Sequence, residues 1–90
     1  MINNLKILYK FMQINNNVDW YNISLCYNLS ENFIREYQDK VNWNLISSYQ
    51  TLSENFIREF KNKVNWHNIF YFKNLSKKFK IEFKHKLYDW

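Results

Sequence analysis

The sequence predicts an all-α protein, a short stack of helix-turn-helix repeats of the α-solenoid kind, with about seven helices. Three observations carry this. A 23-residue unit tiles most of the 90-residue chain. Within each unit the apolar residues recur at helical spacing. Ser, Asp or Asn stands where each apolar run begins, the residue types that cap helix N-termini.

Residues 1–17 read as a degenerate leading half-unit, an N-terminal helix or cap. Three units follow as one domain: 18–40, 41–63, and 64–90, whose last residues form a basic C-terminal cap. Eight columns are identical in all three copies, among them Trp20, Trp43 and Trp66; Ile23, Ile46 and Ile69; Ser30, Ser53 and Ser76; Phe33, Phe56 and Phe79; Glu36, Glu59 and Glu82. Each unit opens with a short helix, A, after Asp19, Asn42 or Asn65. Its apolar stripe is Trp20, Ile23 and Cys26, repeated as Trp43, Ile46, Tyr49 and Trp66, Ile69, Phe72. A longer helix, B, starts after the Ser column. Leu29, Phe33, Ile34, Tyr37 and Val41 mark its buried face, and Glu31 sits in the first turn, where the helix dipole favours an acid. Glu36 stands four residues before Lys40, which suggests an i,i+4 ion pair. Leu87-Tyr88-Asp89-Trp90 reads as the start of a fourth copy. In the third copy Lys80 replaces Ile34 and Ile57, as a terminal repeat without a full neighbour requires.

Helices this short are marginal alone, so packing must hold them. The chain has the means, with four Trp, seven Tyr and eight Phe, each able to bury roughly 150–250 Å². Gly, Pro and Ala are absent, while Asn, Ile, Lys, Tyr and Phe make up 50 of 90 residues. The abundant types have AT-rich codons, which points to an AT-rich bacterium, its phage or a large DNA virus. A single Cys26 rules out an internal disulfide, and its repeat column suggests a buried thiol. The start of the chain lacks a signal-peptide pattern, and no apolar run approaches a membrane span. The expected location is cytoplasmic, the host cytoplasm for a phage-encoded chain.

The units VDWYNIS…LSENFIREYQDK and VNWNLIS…LSENFIREFKNK resemble short helical repeats found in proteins of giant viruses, phages and AT-rich bacteria. The shared marks are the Trp and the LSE-FI-EF core. The resemblance implies a helical-repeat fold and a viral or mobile-element setting. It brings no catalytic residues.

The sequence offers no catalytic constellation. It has no phosphate-binding loop, no HExxH and no paired cysteines. His67 and His85 fall in polar columns. No cofactor, metal or small-molecule ligand is expected, and a non-enzymatic role is favoured. Partner-binding candidates come from the repeat itself. Helix B is nearly copied between units, whereas helix A varies off its buried stripe. The variable positions are Tyr21 and Leu25, Asn44 and Ser48, then His67, Phe70 and Tyr71. A second set is basic. Residues 73–90 carry six Lys against two acids, and Lys73, Lys77, Lys78, Lys80, Lys84 and Lys86 are candidates for nucleic-acid or acidic-partner contact. Lys outnumbers Arg eleven to two, which favours non-specific contact over bidentate base readout. The favoured function is protein binding, most concretely a small phage-encoded inhibitor of a host RNA-guided nuclease, of the anti-CRISPR kind, acting on the nuclease or its ribonucleoprotein. The alternatives are non-specific binding of RNA or single-stranded DNA through the basic aromatic C-terminal repeat, and a structural or oligomerisation module.

Overall fold

The B helices begin where the sequence places them because a serine hydroxyl waits at each start. The computed structural model describes residues 19–26 and 28–88. In it Ser30, Ser53 and Ser76 are extended N-caps whose Oγ atoms accept the amides of Phe33, Phe56 and Phe79. Asp19, Asn42 and Asn65 cap the A helices in the same way, through the amides of Asn22, Leu45 and Asn68. The result is six α-helices: α1 Trp20–Cys26, α2 Glu31–Glu36, α3 Trp43–Tyr49, α4 Glu54–Glu59, α5 Trp66–Phe72 and α6 Lys77–Glu82. A 3-10 segment, η1 Lys84–Tyr88, follows. Every regular element among the described residues is helical, and the chain is a short all-α stack. The expected half-unit at 1–17 lies outside the described residues, as do Asp89, Trp90 and the side chains of Cys26, Leu87 and Tyr88.

Odd-numbered helices are A and even-numbered helices are B. The backbones approach most closely along the A row, where α1 packs on α3 and α3 on α5. Each unit closes its own aromatic group. Trp43 lies 6.3 Å from Phe56 and 5.2 Å from Phe60, and those two rings are 4.6 Å apart. Trp20 with Phe33 and Tyr37, and Trp66 with Phe79 and Phe83, repeat the arrangement. The indole N–H of Trp43 donates to the Gln38 carbonyl and that of Trp66 to the Lys61 carbonyl, both at 2.9 Å. The Trp is therefore both the core of its own unit and a tie to the unit before it.

Polar groups join the units along the chain, always at the same offset. Glu31 in α2 accepts the Ser53 amide at 2.6 Å and its hydroxyl at 3.2 Å, and Glu54 does the same for Ser76. The first-turn acid thus caps the capping residue of the next B helix. Arg35 forms a two-pronged pair with Glu59, and Arg58 pairs with Glu82. Each guanidinium also lies over a phenylalanine of the next unit, Phe56 at 5.4 Å and Phe79 at 5.1 Å. At Glu59 and Glu82 this corrects the expected i,i+4 pairing of the Glu column with the Lys column. Glu59 pairs with Arg35, while Lys63 reaches back to Asp39 at 3.0 Å.

The expected A stripe also needs correction at its third member. Ile23, Ile46 and Ile69 are buried, but Tyr49 and Phe72 are 58% and 48% exposed. A step of three residues advances about 300°, so each step drifts about 60° from the last. By the second step the side chain has left the core. The buried face instead takes in Ser24 and Ser47, both fully buried, whose hydroxyls accept the amides of Asn42 and Asn65 at 2.9 Å. Small side chains here let consecutive A helices approach closely.

Candidate functional site

The outer face of the A row gathers most of the variable residues. Tyr21, Asn44, His67 and Tyr71 are exposed, and Leu25 and Ser48 are half-buried. Phe70 does not belong with them. It occupies the column of Ser24 and Ser47, and it is half-buried with its ring 6.0 Å from Trp66.

The drift that expels Tyr49 and Phe72 from the core creates the surface. The two rings end α3 and α5 and lie 5.9 Å apart. Tyr71 meets Phe72 edge-on at 4.8 Å. Tyr71 is 76% exposed. Three large aromatics therefore form a run in water, with Phe72 touching both Tyr49 and Tyr71, on two helices whose backbones pack closely. Tyr49 and Phe72 were missed as surface residues because a spacing of three resembles one face over a single turn. The second step reveals the drift.

Asn44 and Ser48 frame this face and are tied into it. Asn44 Oδ1 accepts from Asn65 Nδ2 at 2.9 Å, and its carbonyl accepts from Ser48 Oγ at 2.9 Å and from Asn68 Nδ2 at 3.3 Å. These contacts order the surface between α3 and α5. They leave Asn44 and Ser48 as part of the frame more than as free reading heads.

The basic set divides. Lys77, Lys78, Lys80 and Lys84 are exposed, and Lys86 is half-buried. Lys73 leaves the set, because its ammonium donates to the carbonyls of Ser48 and Gln50 at the end of α3. Burial pushes its pKa below the ordinary lysine value. Gln50, the same column one unit earlier, performs the same task. Its Nε2 donates to the Ser24 carbonyl and its Oε1 accepts the Leu29 amide, each at 2.9 Å. Both residues cover the open carbonyls at the end of an A helix, where a donor or a cation is favoured.

Among the described residues no group of three or more His, Cys, Asp or Glu is placed to hold a metal ion. No helix among them is long and apolar enough to cross a membrane. Every buried side-chain nitrogen or oxygen there has a hydrogen-bond partner. Comparison with protein-family models, with curated proteins and with solved structures finds no match.

Proposed function

We propose that this chain is a non-enzymatic binding module that captures a protein partner on the outer face of its A row. The observation that carries the reading is the contiguous, solvent-exposed group of Tyr49, Tyr71 and Phe72. Exposed aromatics in contact cost free energy in water unless something covers them, and such residues anchor interfaces. They stand on locked helices, so little ordering entropy remains to be lost on binding. The narrowest form of the reading is a phage-encoded inhibitor of a host RNA-guided nuclease, acting in the host cytoplasm. The AT-rich composition and the resemblance of the units to repeats of phages and giant viruses support that form.

The test uses a purified RNA-guided nuclease ribonucleoprotein and the full chain. Replacing Tyr49, Tyr71 and Phe72 with Ser leaves far-ultraviolet circular dichroism unchanged and abolishes both co-elution and inhibition of cleavage. Retained inhibition by that variant removes the aromatic face from the reading. No inhibition by the parent chain removes the narrow form. A gel shift with RNA and single-stranded DNA at two salt concentrations runs alongside. Binding that falls steeply with salt and disappears when Lys77, Lys78 and Lys80 become Ser favours direct nucleic-acid binding instead. Self-association in light scattering with no foreign partner favours a structural module.

A further inference from the structure

The last B helix departs from the other two on one face. Lys77, Lys80, Ile81 and Lys84 follow i, i+3, i+4, i+7 spacing and share a helical stripe running into η1. All four are exposed, and Ile81 is 64% so. In the first two units this same stripe receives the next unit. Its members there are the Glu31 or Glu54 that caps a serine, the fully buried Ile34 or Ile57, and the Arg35 or Arg58 that meets a glutamate. In α6 the acid has become Lys77, the buried isoleucine Lys80, and the guanidinium Ile81. Charge and apolar character have exchanged places.

The two repeated interfaces act as a template for the occupant. The incoming helix begins at the Ser53 or Ser76 position, places a phenylalanine three residues on, and a glutamate six residues on. Against α6 the complement reverses at both ends, with a carboxylate first, facing Lys77 and Lys80, and an apolar side chain six residues later, facing Ile81. This chain's own B helices carry Ser and Glu at those places, so a second copy is a poor fit. Nucleic acid is also a poor fit. Ile81 stands in the middle of the stripe, and the stripe offers neither an aromatic ring for stacking nor an arginine.

We propose that the C-terminal end of the stack docks an acidic amphipathic helix of another protein. Its N-terminal carboxylate meets Lys77 and Lys80, and its apolar residue six positions later seats on Ile81. This surface is separate from the A-row aromatics, and neither proposal depends on the other.

The test is amide chemical-shift mapping on the full, labelled chain with three probes. The first is a peptide of residues 51–63 carrying Ser53→Asp and Glu59→Leu, stapled to hold it helical. The second is the same stapled peptide without the substitutions, and the third is oligo-dT. The substituted peptide shifts the amides of Lys77, Lys80, Ile81 and Lys84. Its affinity falls about tenfold in the Ile81→Ser chain and weakens with salt. Equal shifts from the unsubstituted peptide, shifts from oligo-dT alone, no shift with any probe, or binding unaffected by Ile81→Ser would each overturn the proposal. These residues are exposed, so the Ile81→Ser chain retains its fold, and circular dichroism checks that it does.

Discussion

Ile57 and Lys80 occupy the same place in consecutive units, and placing a lysine at both tests the directional stack. Ile57 is fully buried. Its neighbours Glu54 and Arg58 both reach into the third unit, to Ser76 and Glu82, so that unit covers it. Lys80 stands in the open. Ile57→Ala removes the side chain alone and should cost about 2–5 kcal/mol. Ile57→Lys adds an ammonium with no carboxylate designed to meet it, several kcal/mol more by the general cost of burying an unpaired ion. A 90-residue chain at ~0.05–0.15 kcal/mol per residue holds roughly 5–13 kcal/mol in all. The lysine variant should therefore unfold, or release its third unit, in buffer without denaturant. Lys80→Ile should stay within about 0.5 kcal/mol of the parent, as surface substitutions do. Urea melts followed by circular dichroism and by tryptophan emission measure both. An Ile57→Lys chain within about 1 kcal/mol of the parent would refute the claim that each unit closes over the B helix of the one before it, since a covered ammonium cannot cost so little.

Two further outcomes follow from the ties between units. The carboxyls of Glu54, Glu59 and Glu82 are held below the ordinary 4.5, the first mainly by the Ser76 amide and the others mainly by hydrogen bonds from Arg35 and Arg58. Unfolding returns them toward that value, so their stabilisation is full above it and is lost as pH falls through the lower folded values. The melting temperature should be flat from neutral pH to about 5 and fall below that, and Arg58→Gln should lower the neutral plateau while making the acid limb shallower. An acid limb identical in Arg58→Gln and the parent counts against the pairs. At Lys73, Gln should substitute with little loss because Gln50 does that work one unit earlier. Lys73→Met should cost about 1 kcal/mol in the same melts by leaving helix-end carbonyls without a donor, and equal stability of the two variants would show that those carbonyls need no cover.

Much of this architecture was legible because it is written three times. The capping serines and the B-helix faces follow from spacing that one turn of helix imposes, and each recurs at the expected residue. The failures have one common physical source. A single unit's sequence shows which residues share a helix face but not which face the next unit covers. Ser24 and Ser47 carry no signal within their own unit because their value lies in accepting an amide 18 residues away. The Glu column looked like a partner for a lysine on its own helix, although an arginine 24 residues earlier reaches it with two prongs. Lys73 read as free charge because Gln50 gives no hint of a cation. What would have exposed it is the shared column, where two long side chains with donors follow Tyr27. For the candidate surface, Tyr21 and Tyr71 were readable from variability. Tyr49 and Phe72 required the second step of an angular sum.

The ties also give the stack a direction, and that direction accounts for how the third unit differs. Groups facing backward are kept: Trp66 donates to the Lys61 carbonyl, Ser76 donates to Glu54, Phe79 lies beneath Arg58 and Glu82 pairs with it. Groups facing forward are exchanged, with Phe70 for a buried serine, Lys77 for the capping acid, Lys80 for the buried isoleucine and Ile81 for the arginine. A bias toward AT-rich codons acts on forward and backward columns alike and cannot separate them. The uncovered forward face among the described residues separates them, since a serine there would lack its amide and an isoleucine its cover. Simple capping, however, predicts polar replacements throughout. It explains Lys77 and Lys80, but it explains neither the half-buried Phe70 nor an arginine giving way to an isoleucine that stands in water. The isoleucine runs against solubility, and it falls at the centre of the lysine stripe. The end of the ladder is therefore better described as an altered interface than as a blank one.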